Sequence, residues 1–168
     1  MLDIVLDTNM LADILAQVYE AESRLRPAFY EKDSISAELA QAANRIVRSW
    51  GDPLIDRYPG QLVASALAFV EISRQWKYIV KGRFSVEQMA AFVEQPPEWF
   101  VVEPVDEILV STLCEVPAKV ETSSGEVRSL EWTDAIHLAT AFVRGDTAKL
   151  AVTDQEMQEV PALQGRLV

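Results

Sequence analysis

The chain has 168 residues, 49% of them hydrophobic and 24% charged, enough for one domain with a real core and short of what two would need. Its formal charge of −11 argues against a broad nucleic-acid footprint, because phosphate binding is dominated by Lys and Arg. No apolar run is long enough to span a bilayer, and the single cysteine, Cys114, excludes an internal disulfide framework and a cysteine-based zinc site.

The N-terminus lacks the basic start and the cleavage site of a signal peptide, so a cytoplasmic protein is expected. A first strand, about Leu2 to Leu6, is short and apolar, as in a strand buried on both faces. It delivers Asp7, Thr8 and Asn9 to a helix expected from about Asn9 to Glu20. After a polar stretch at 23–35, a second helix is expected from about Ile35 to Trp50, closed by Gly51-Asp52-Pro53. Gln61 to Ala64 reads as a strand, and Ser65 as the N-cap of a helix ending at Gly82. Ser85 to Gln88 has the form of a capping box, and its helix stops at Pro96-Pro97. The run "WFVVE" is a strand interrupted by Pro104. "DEILVSTLCEV" is an amphipathic helix in which Cys114 reads as a buried packing residue. Residues 117–129 form a loop or a short hairpin. A capped helix follows over "EWTDAIHLATAFVRG", ended by Gly145, and "KLAVTD" is a strand that again ends on an acid. Alternating strands and helices predict an α/β fold, with a small parallel sheet covered on both faces. In such sheets ligands bind outside the carboxyl ends of the strands.

Asp7 and Asp154 both fall at that edge. Asp134 opens the helix "DAIHLATAF", and Glu71 lies within the apolar run "ALAFVEIS". Taken singly, each has an ordinary explanation as a turn, cap or first-turn acid, and the overall acidity could simply serve solubility. Taken together, they could converge. Their repulsion would then raise their pKa values unless a cation neutralised them. Oxygen donors suit Mg2+ or Mn2+ before zinc, and such a site suits phosphodiester hydrolysis.

The stretches "IVLDTNMLADIL", "SALAFVEIS", "WTDAIHLATAF" and "LAVTDQEM", in that order, resemble the PIN domain and in particular the VapC-like toxin ribonucleases, over nearly the whole chain. The resemblance implies a single PIN-like three-layer sandwich over 1–168, from whose compact pattern this chain departs by an enlarged segment around 20–60 and an enlarged loop at 116–130. It implies an Mg2+- or Mn2+-dependent endoribonuclease, the toxin of a toxin–antitoxin pair, acting as a homodimer and inhibited by a cognate antitoxin. Asp7, Glu71 and Asp134 match the family's first three acids, as catalytic and metal-holding residues, with Thr8 and Asn9 in support. Asp154 stands for the fourth. Gln155 occupies the family's usual spacing for it, and Glu156 is the fallback.

Arg74 and Lys77, with Lys81 and Arg83, are candidate RNA contacts, or else a solvated basic helix face. His137, the single histidine, reads as a packed, hydrogen-bonded structural residue, because the chemistry implied needs none. Trp132 could edge the site, and the other tryptophans read as core or interface aromatics. The alternative function is a catalytically weak or inactive PIN-fold binding module that engages a protein or RNA partner. A phosphatase of another α/β family is disfavoured, because Asp7 opens "DTN" rather than Asp-x-Asp and no glycine-rich phosphate loop occurs.

Overall fold

A computed structural model describes residues 3–25, 61–97, 100–153 and Met157. The expected helix at 35–50 lies outside the described residues, as do Trp50 and Trp99. Strand β1 is Ile4–Leu6, followed directly by α1, Thr8–Leu25. Next come β2 (Leu62–Ser65), α2 (Ala66–Arg74), the short α3 (Trp76–Ile79) and α4 (Val86–Glu94). The remainder is β3 (Phe100–Glu103), α5 (Glu107–Glu115), β4 (Lys119–Glu121), β5 (Val127–Ser129), α6 (Trp132–Val143) and β6 (Lys149–Ala151).

The main sheet has the order β3-β2-β1-β6 and every neighbouring pair is parallel. Ile4 lies opposite Leu62 and Lys149, and Val5 opposite Val63 and Leu150. Alternation along the strands divides the core in two. Ile4, Leu6, Leu62 and Ala64 join Met10, Leu11, Ile14 and Leu15 of α1, with Phe69 and Ile72 of α2. Val5, Val63 and Leu150 face the other way, onto Leu138 and Ala141 of α6. The sheet is thus flanked by helices on both faces, and β1 is apolar throughout because neither of its faces meets water. Each fully buried Leu or Ile of this core contributes roughly 1.5–3 kcal/mol. Phe92 and Phe100 close one end edge to face, with ring centroids 4.8 Å apart. None of the described helices is long and apolar enough to cross a membrane.

Local chemistry explains where the elements start and stop. Helix α1 runs to Leu25, past the expected Glu20, because no breaker occurs before Pro27. Ser65 caps α2 by accepting from Leu67 N–H at 3.2 Å. The capping box at Ser85 and Gln88 is complete in both directions. The helix expected from Ser65 to Gly82 is instead two helices. At Gln75 the backbone leaves the helical region (φ −105°, ψ 23°), and its side-chain amide turns back to Glu71. The second helix ends at Ile79, ahead of the expected Gly82, and the chain turns away through Lys81 and Gly82, both at positive φ (51° and 75°). Residues 117–129 resolve as a hairpin, with β4 and β5 antiparallel and Val120 opposite Arg128. Two expectations are overturned. Cys114 is exposed, because α5 packs through other residues, Leu109 being its buried one. Helix α6 has no side-chain cap, since the Glu131 carboxylate makes no bond to its first turn.

Candidate functional site

The chain leaves β1, builds β2 and β3 on one side, and returns to place β6 on the other side of β1. Strand order therefore reverses at β1, and a crevice opens where β1 and β6 end. A cleft of about 290 Å³ lies there. Asp7, Thr8 and Asn9 line it from the β1–α1 junction, Glu71 from α2, Thr133, Asp134 and His137 from α6, and Thr153 and Met157 from beyond β6.

Asp7 is 6% exposed, and both of its oxygens are engaged. Oδ1 accepts from Met10 N–H at 2.7 Å, capping α1. Oδ2 accepts from Thr153 N–H at 2.5 Å and from the Thr153 hydroxyl at 2.8 Å, which ties the end of β1 to the segment after β6. The turn-or-cap reading of Asp7 therefore holds, and the same carboxylate lines the cleft. Burial pushes its carboxyl above the usual carboxylate range, and the donors from Thr153 and Met10 hold it partly back.

Glu71 is half-buried at the cleft wall. Oε2 accepts from the Thr8 hydroxyl and Oε1 from Gln75 Nε2 at 3.0 Å. Thr8, itself buried, also lies 3.2 Å from His137 Nε2. Asn9 is exposed and donates to the Thr153 hydroxyl at 3.3 Å. Asp134 is half-buried on the first turn of α6. Asp154, Gln155 and Glu156 lie outside the described residues, so three of the four expected acids are placed, and all three line one cleft.

The donor set suits a hard divalent cation in kind. It consists of carboxylate and hydroxyl oxygens, with one carboxyl under a burial penalty that a neighbouring positive charge relieves. Glu71 Oε1 and Oε2 each accept one side-chain donor among the described residues. Among the described residues, however, no three His, Cys, Asp or Glu side chains stand arranged to hold a metal ion.

The hairpin supplies what sequence reading missed. Val120, Thr122, Arg128 and Leu130 share one of its faces by two-residue alternation, and all four line the cleft. Among the described residues Arg128 is the one Lys or Arg in that lining, and it pairs with Glu126 at 3.2 Å. Its signal in the sequence was the alternation "EVRSL" across from "KVET". His137 also belongs to the cleft, where the spacing from Asp134 places it one turn along the same helix. Arg74, Lys77 and Lys81 are exposed and do not line it. Arg83 is engaged by Asp13 and by the carbonyls of Val80 and Ile79, where it closes the end of α3. Trp132 is 57% exposed beside the cleft, and Trp76 packs into the core against Phe84. Neither a protein-family model nor a curated protein matches this chain.

Proposed function

We propose that the chain is a metal-dependent endoribonuclease of the PIN type that hydrolyses RNA phosphodiesters. One observation carries the reading. Asp7, Glu71 and Asp134 come from three separate stretches of chain and line one cleft at the strand-order reversal of a parallel sheet. The resemblance to the VapC-like toxins extends the proposal to a cytoplasmic toxin with a cognate antitoxin and a homodimeric state.

In this reading Asp7 and Asp134, with Asp154 or Glu156, hold Mg2+ or Mn2+, and Glu71 completes the pocket. The cation, when bound, polarises a phosphoryl oxygen and lowers the pKa of water. The protein fixes the geometry: Met10 and Thr153 hold the Asp7 carboxylate in one orientation, while Thr8 and Gln75 do the same for Glu71. Arg128 lines the same cleft as the acids, and its guanidinium fork is the kind of donor a phosphate oxygen takes. A flexible single strand reaches the acids of such a cleft more easily than a duplex does.

A second reading, a PIN-fold module that binds a protein or RNA partner without cutting, draws on the same hydrogen bonds. The oxygens of Asp7 and Glu71 already accept protein donors. The deciding experiment is incubation of the purified chain with end-labelled single-stranded RNA in Mn2+, with EDTA and with Asp134→Asn as controls. Cleavage abolished by both controls is the expected result. RNA retained but left intact by the native chain in Mn2+ would establish the binding module.

A further inference from the structure

Glu71 is clamped from two sides, and the second clamp leads to a buried histidine. His137 is 3% exposed, its Nε2 lies 3.2 Å from the Thr8 hydroxyl, and its Nδ1 is buried with no hydrogen-bond partner among the described residues. Thr8 has one proton and two neighbours. A carboxylate can only accept, so the Thr8–Glu71 hydrogen bond takes the Thr8 proton. The Thr8 oxygen is then left to accept, and His137 Nε2 must be the donor.

We infer that His137 is a positioning residue, whose neutral Nε2–H form turns the Thr8 hydroxyl toward Glu71 and so fixes that carboxylate in the cleft. The opposite arrangement has Thr8 donating to Nε2, a proton on Glu71 to donate to Thr8, and N–H at Nδ1. That would bury an N–H without an acceptor, a rarer and costlier defect than a bare acceptor nitrogen. Burial alone lowers the His137 pKa to about 4, which keeps the ring neutral at physiological pH. The helix break at Gln75 has its place in the same device, since Gln75 Nε2 holds the other Glu71 oxygen at 3.0 Å.

The proton arrangement stands on geometry alone; its use in a cation pocket rests on the function proposed above. Because His137 is the single histidine, its two ring nitrogens can be read without ambiguity by long-range 1H–15N NMR on the full chain at neutral pH. A protonated Nε2 and a bare Nδ1 are expected, with that preference altered in Thr8→Val. An Nδ1–H tautomer overturns the inference.

Variants probe the positioning through Mn2+ binding, followed by thermal midpoint. His137→Gln sets an amide donor at the place of Nε2, whereas His137→Asn sets it at the place of Nδ1, short of Thr8. Gln is expected to keep the native affinity, and Asn to weaken it about tenfold, as loss of a ligand-orienting partner does. Equal affinity in both variants overturns the positioning role. A native chain indifferent to Mn2+ removes the cation reading. With Nε2 protonated and the Thr8→Val shift present, that result still upholds the relay.

Discussion

Asp7→Asn separates the two roles that Asp7 combines. The carboxylate accepts from Met10 N–H, Thr153 N–H and the Thr153 hydroxyl. An amide can meet only part of this. With its oxygen on Met10 N–H, its NH2 faces Thr153: the hydroxyl can turn to accept, but the Thr153 N–H is left opposite another donor. One unsatisfied, partly buried N–H costs about 1–3 kcal/mol. Burial of the charge opposes this, because the carboxyl is pushed up and neutralisation removes that penalty. The substitution keeps the desolvated site and loses the donor match, so a net loss of about 1–2 kcal/mol is expected, or a midpoint lowered by roughly 2–8 °C in a chain of this size. Urea and thermal unfolding without metal, with and without the substitution, measure it. Mn2+ should raise the native midpoint by linkage and leave the variant unmoved. If Asp7→Asn were markedly more stable than the native chain without metal, acid–acid repulsion would dominate the site and the donor accounting would be refuted.

Acid should weaken the fold through His137. Its pKa is about 4 in the fold against 6.5 free, so the unfolded chain binds more protons between those values and stability falls as pH drops through that window. The full loss is about 3 kcal/mol, seen as the difference in urea midpoints between the native chain and His137→Gln across a pH series; parallel curves would show that the ring is not held neutral. Asp7 acts in the opposite sense, since its raised pKa means the fold takes up that proton first and gains stability as pH falls toward 3.8. Arg128→Gln should weaken single-stranded RNA binding about tenfold and flatten the salt dependence by roughly 0.7 in the log–log slope, one phosphate contact, with Arg128→Lys recovering part of it; an unchanged slope would take Arg128 out of the interface. Ser85→Ala should cost about 1 kcal/mol by opening the capping box of α4, while Mn2+ stabilisation, read on the same thermal scan, stays native.

Much of the fold was legible because it is written in local chemistry. Ser65 and the Ser85–Gln88 pair fix helix starts through their own backbone geometry, and Gly82 and Gly145 mark ends at positive φ. The short apolar runs of β1 and β2 announce strands buried on both faces. The places that escaped are those where a particular side-chain contact or the packing face decides. Gln75 leaves the helix as its side chain turns back to Glu71, and Cys114 is exposed because α5 packs through other residues, which no periodicity in "ILVSTLCEV" reveals.

The site divides along the same line. By itself the sequence determined which residues carry charge and where the carboxyl end of β1 falls, and so that Asp7 stands at the crevice. That follows because strand direction and crossover handedness are set by local sterics. Only the tertiary structure decided how the acids are held: Asp7 by Thr153 across the β1–β6 boundary, Glu71 by Thr8 from another element, and Thr8 by a buried His137. It also decided that the hairpin brings Arg128 over the same cleft. These are contacts between residues 63 to 146 positions apart, and their energy exists only once the chain has closed around them.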